Sequence, residues 1–129
     1  MRFRAYVKSV IETLQKELNL QHVDIVLGFD APECSGDNLA VTYADTRYNR
    51  ATVRVGATLE DYYKEGELSL VDLTLIHEMV HVLTMPVATF GRTHAGPAEM
   101  ELFVDLIEQQ TENLTRILYK NLPKYKVVS

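Results

Sequence analysis

Cysteine is nearly absent from this chain, tryptophan is missing altogether, and no net positive charge accompanies its acids. The lone thiol, Cys34, excludes an internal disulfide and any cysteine-built zinc knuckle, and it fits a reducing interior. Cys34 falls in a polar loop, where no role is expected of it. No apolar run approaches the roughly 20 residues needed to cross a bilayer. The opening Met1-Arg2-Phe3-Arg4-Ala5-Tyr6 is too polar for the start of a secretory signal. A cytoplasmic protein without a membrane partner is expected. Asp and Glu number 18 against 13 Lys and Arg, and the net charge of −5 argues against a nucleic-acid partner. Repeats, low-complexity tracts and interdomain linkers are lacking too. What remains is 129 residues of ordinary apolar content, enough for one core. Residues 1–129 therefore read as a single domain, with a monomer favoured.

Apolar periodicity divides the chain into elements. Phe3, Val7, Val10, Ile11, Leu14 and Leu18 recur at three- and four-residue steps, predicting an amphipathic helix over 3–19. Val23, Ile25, Leu27 and Phe29 alternate with His22, Asp24, Val26 and Gly28, a strand buried on one face with His22 at its surface. Residues 30–38 have loop composition. Strands over 39–44 and 51–56 are expected to pair as a hairpin. Residues 57–68 read as an irregular connection or a short helical turn. In it, Tyr62 and Tyr63 either rim a cleft or, the favoured reading, cap the core.

A strongly apolar helix follows, from Leu70 to Met85. Ser69 and Asp72 are expected to cap it, Pro86 to stop it, and 86–96 to form a loop. Pro97 is suited to the first turn of a last helix running to about Tyr119. Leu122-Pro123 should end that helix before a basic tail, Lys124 to Ser129. The expected class is α+β: an N-terminal helix, a small three-stranded mostly antiparallel sheet, a buried helix and a final acidic helix.

The buried helix contains His77-Glu78-Met79-Val80-His81, an HExxH pattern whose chance occurrence at this composition is roughly 1%. Residues four apart share a helix face, so His77 and His81 can offer two imidazole nitrogens to one zinc ion. Glu78, one position round, suits a general base acting on a zinc-bound water. Charged groups within an otherwise apolar helix need a partner, and a metal provides one.

A catalytic zinc usually takes three protein ligands and a water. Six residues past His81 stands Val87, so a third histidine at that spacing is excluded. A carboxylate from the last helix is expected instead. Glu101, 20 residues after His81 and followed at the fourth residue by Asp105, resembles the thermolysin-type arrangement, which implies Glu101 as ligand and Asp105 as orienter of the first histidine. Yet Glu101, Asp105, Glu108, Gln109, Glu112 and Arg116 form one polar stripe that reads as the solvent face. Glu99 falls among Leu102, Phe103, Leu106, Gln110, Leu114 and Ile117, the stripe expected to face the fold. Glu99 is therefore favoured as third ligand, with Glu101 as the alternative and Asp105 behind both.

The motif, the nearby Pro86, the acidic stretch Ala98-Glu99-Met100-Glu101 and the order of elements resemble the gluzincin clan of zinc metallopeptidases. The likeness is greatest to the very small members called minigluzincins and their phage-encoded relatives. That resemblance implies a zincin-like domain hydrolysing peptide bonds with a zinc-activated water. It also implies an edge strand, here Leu39 to Ala44, that pairs with an extended peptide or protein substrate around Val41, Thr42 and Tyr43. Larger relatives carry a Tyr or His that stabilises the oxyanion. No Tyr lies between His81 and Glu99, which leaves His94 or Arg92 for that task. Two alternatives stand beside hydrolysis: a latent or non-catalytic zinc-binding protein, and a regulator-cleaving peptidase acting on one protein partner.

Overall fold

The computed structural model describes the backbone of residues 2–125 and side chains as far as Asn121. Helix α1 (Phe3–Glu17) buries the expected stripe of Phe3, Val7, Val10, Ile11 and Leu14. It ends where Asn19 turns left-handed at φ 57°, a conformation asparagine tolerates better than most residues. Strand β1 (Asp24–Gly28) follows. Strands β2 (Ala40–Asp45) and β3 (Arg50–Val55) form the expected hairpin around a single 3-10 turn. Asp45 caps that turn by accepting a hydrogen bond from the Arg47 amide, and Asn49, at φ 49°, returns the chain into β3.

The sheet runs β1-β3-β2. It is mixed rather than mostly antiparallel: β3 pairs parallel with β1 and antiparallel with β2. The cause is the crossover after β1. The chain passes to the far edge, lays down β2, and the hairpin then inserts β3 into the middle beside β1. Ala51, Val53 and Val55 of this central strand are almost wholly buried. The inserted β3 leaves β2 with an edge that no strand covers among the described residues.

The stretch 57–68 is more regular than expected, since Ala57–Lys64 form helix α2. Tyr62 and Tyr63 pack against the core, with Tyr63 tilted against Phe3 and Tyr6 and also lining a shallow cleft beside Arg4 and Glu60. Cys34 is buried rather than exposed in its loop, and Gly56 is held close beside it: a Cβ at Gly56 would stand 2.8 Å from the Cys34 carbonyl oxygen.

Helix α3 (Leu68–His94) departs most from expectation. It is 27 residues long and contains Pro86 instead of ending there, so 86–94 is helix and not loop. Proline removes one amide donor and crowds the preceding turn. The second half of α3 is held by its partner, α4 (Pro97–Tyr125): the Phe103 ring fills the space where a Gly91 Cβ would stand. Ala95 and Gly96 make the turn between them. Nor does Asp72 cap α3. Its N-cap, Glu67, makes no side-chain cap bond, and the buried Asp72 carboxylate accepts a 2.5 Å hydrogen bond from the Tyr6 hydroxyl. Length and composition would let α3 cross a membrane, with 44% of its most apolar window buried inside the fold. Val71, Leu75, Ile76, Met79 and Val80 are fully buried and form the centre of the core.

Helix α4 continues past Leu122-Pro123 to Tyr125, while Lys126 to Ser129 of the basic tail lie outside the described residues. Its buried face is centred on Thr111 and Thr115, whose hydroxyls donate to the Ile107 and Thr111 carbonyls at 2.8 and 2.7 Å. Such back-bonding satisfies a buried hydroxyl without a partner from another element. Leu102, Leu106 and Ile117, from the stripe expected to pack inward, are instead exposed.

Candidate metal centre

Two histidines one helical turn apart converge when both rings swing to the same side of the helix. His77 and His81 do so, with Nε2 to Nε2 at 3.1 Å and ring planes nearly perpendicular. Both are half-buried. A carboxylate oxygen of Glu108 completes a set of three donor atoms lying within 4.8 Å of one another. This is the carboxylate that the fold brings to the histidines; neither Glu99 nor Glu101 joins the group.

The register of the helical hairpin explains the difference. In an antiparallel pair, residues equidistant from the turn face each other. Had α3 stopped at Met85, the loop over 86–96 could have carried the first turn of α4 back to the histidines. With the turn delayed to Ala95 and Gly96, that first turn lies beside the far end of α3. Glu99 is exposed there, its carboxylate folded back over Gly96, and Glu101 and Asp105 are exposed as well. Glu99 stands nine residues before Glu108, about 13 Å along the helix axis.

Two carboxylates with the same four-residue spacing as Glu101 and Asp105 stand two turns later, at Glu108 and Glu112. Four residues past Glu108, Glu112 places Oε1 3.1 Å from Nδ1 of His77. A proton on Nδ1 shared with that carboxylate leaves the His77 Nε2 lone pair free to ligate. The stripe is exposed, as expected of a solvent face, and two of its residues, Glu108 and Glu112, also reach the histidines. One signal could have found Glu108 and Glu112: their four-residue spacing repeats that of His77 and His81, as two facing helices require.

The donor set suits zinc. Nitrogen ligands at about 2.0–2.1 Å in tetrahedral array stand roughly 3.3 Å apart. The two Nε2 atoms meet that spacing, and the exposed Glu108 side chain is free to close the remaining gap. Two imidazoles and a carboxylate also match the ligand types of catalytic zinc sites.

Glu78, the next residue of α3, reaches the sheet at Thr42. It is 6% exposed, and Oε1 accepts a 2.9 Å hydrogen bond from the Thr42 hydroxyl on β2. Burial pushes its pKa up, opposed by the Thr42 hydrogen bond and by His77. Burial also pushes the His81 pKa down, helped by the neighbouring His77, so His81 favours the neutral form that a metal needs.

A cleft of about 480 Å³ opens beside these groups, walled by 37–40 before and at the start of β2, by Leu73, Thr74, His77 and Glu78 of α3, and by Glu112, Thr115 and Arg116 of α4. Of the residues expected to bind substrate, Val41 and Thr42 are half-buried on the edge strand, while Tyr43 is 52% exposed and donates to Glu33 at 3.4 Å. His94 lies apart from this site. It ends α3, stacked on Phe90, 13 residues beyond His81 and roughly 20 Å along the axis.

Comparison with known families, curated proteins and solved structures yields no match.

Proposed function

We propose that this chain is a zinc-dependent metallopeptidase domain of gluzincin type, with His77, His81 and Glu108 as ligands and Glu78 as general base. One observation carries the reading: three donors converge, and one of them, His77, lines the same cleft as the buried Glu78, beside an uncovered strand edge. What a bound Zn²⁺ supplies is Lewis acidity toward water and a scissile carbonyl. The rest is work for the chain. Glu112 fixes the His77 ring. An extended peptide adds to the open edge of β2 through its backbone, around Val41 to Tyr43. The Glu78 carboxylate takes a proton from the attacking water and passes it to the leaving amine, a role that a raised carboxyl pKa favours near neutral pH. The substrate is a peptide or protein, and the setting a cytoplasmic one without nucleic-acid or membrane partners.

A second reading retains zinc without general hydrolysis, either as a binding protein or as a peptidase for one protein partner. It is favoured by the position of His94, too distant to stabilise an oxyanion in this cleft. Metal analysis of the purified protein, followed by cleavage of a peptide library, separates the possibilities. Near-unit zinc with cleavage supports hydrolysis, and zinc without cleavage supports the second reading. Failure of the apoprotein to take up zinc refutes both.

A further inference from the structure

Ala40, Thr42 and Ala44 alternate along β2 on the face turned toward α3, with Val41 and Tyr43 on the other. Small neighbours on both sides of Thr42 allow strand and helix to approach closely. Its hydroxyl thereby reaches Glu78 twice, 2.9 Å from Oε1 and 3.3 Å from the carbonyl oxygen. Glu78 Oε1 accepts from no other described group, and Oε2 accepts from none. One carboxylate oxygen is thus held while the other is left for the cleft that Glu78 lines. The last torsion of a glutamate side chain is broad, so without such a tie the carboxylate would sample many orientations.

We propose that Thr42 is a positioning residue for the reaction, fixing Oε1 of Glu78 so that Oε2 is the oxygen that receives the proton. This rests on the peptidase reading given above and assigns Thr42 a task beyond lying along a bound peptide. The strand that a substrate would extend is the strand that aims the base. Pairing with a peptide stiffens β2 and, through Thr42, the orientation of Glu78.

The test uses the full chain carrying Thr42→Val, which keeps the shape and removes the hydroxyl, and Thr42→Ser, which restores it. Crystal structures of both are compared with that of the unaltered protein, together with zinc content and the kcat and KM for a cleaved peptide. The expected Thr42→Val protein holds zinc at the same stoichiometry, shows Glu78 in more than one rotamer, and loses about tenfold or more in kcat at unchanged KM. Thr42→Ser regains a single rotamer and most of kcat. A single Glu78 rotamer in Thr42→Val, an unaltered kcat, or a loss confined to KM overturns the proposal. If the unaltered protein binds no zinc or cleaves nothing, the peptidase reading falls by itself, and the rotamer comparison still decides whether Thr42 orients Glu78.

Discussion

Glu78 is held under opposing demands. A carboxylate buried to this degree is costly when ionised, and Thr42 and His77 offset only part of that cost. Because its pKa is raised on folding, unfolding releases a proton between the ordinary value of 4.5 and the raised one, so its contribution to stability falls as pH rises through that window. Glu78→Gln removes the ionisation. Its apoprotein should melt higher than the unaltered protein at pH 8, bind zinc equally well, and hydrolyse nothing; a lower melting point would mean that the ionised carboxylate stabilises the fold. His81 acts at the other end of the scale. Its folded pKa lies below the ordinary 6.5, so unfolding takes up a proton below that pH. Apoprotein stability should therefore fall as the pH drops from 6.5 through the folded value, and His81→Asn should flatten that limb of a melting-temperature profile.

The residues differ in how visible they are from sequence. His77, Glu78 and His81 can be read from spacing alone, since one helix sets their relation. Glu108 cannot, because its partnership depends on where a different helix begins. Thr111 and Thr115 added to the error: their hydroxyls bond back to their own helix, so a buried face looks polar in sequence while Leu102 and Leu106 look buried and are not.

At the scale of elements, the decisive fact is the continuity of α3 through Pro86, which moves the turn from 86 to 95 and brings Glu108 opposite the histidines. Helices, strands and the hairpin follow from periodicity. The crossover that makes the sheet mixed does not, because strand order depends on packing against α1 and α3. The hairpin register can be attacked at Gly91. A Cβ there would lie 2.0 Å from Cζ of Phe103, far inside contact distance of the ring's tip. Gly91→Ala should destabilise the protein by about 1–3 kcal/mol and weaken zinc binding by displacing α4, whereas Gly66→Ala, strained by its left-handed φ of 82° but with open space around its Cβ position, should cost stability and leave zinc affinity unaltered. Chemical denaturation and zinc titration of the two variants check this. Equal zinc affinity with an alanine at 91 would separate the register from the metal centre.

For the molecule as a whole, the donor set proposed for zinc is drawn from α3 and α4, so a bound ion would tie the helical hairpin together near the cleft and the edge strand. Zinc should then stabilise the fold, by about 2.7 kcal/mol at a free concentration of about 100 times Kd. The direct test is a zinc titration of the metal-free protein beside Glu99→Ala, Glu101→Ala, Glu108→Ala and Glu112→Gln. One zinc per chain is predicted, with affinity unaltered in the first two, lost by more than about 100-fold in Glu108→Ala, and reduced about 10- to 100-fold in Glu112→Gln. A metal-free protein that takes up no zinc, or a Glu108→Ala protein that binds it as tightly as the unaltered chain, would contradict the metal centre described.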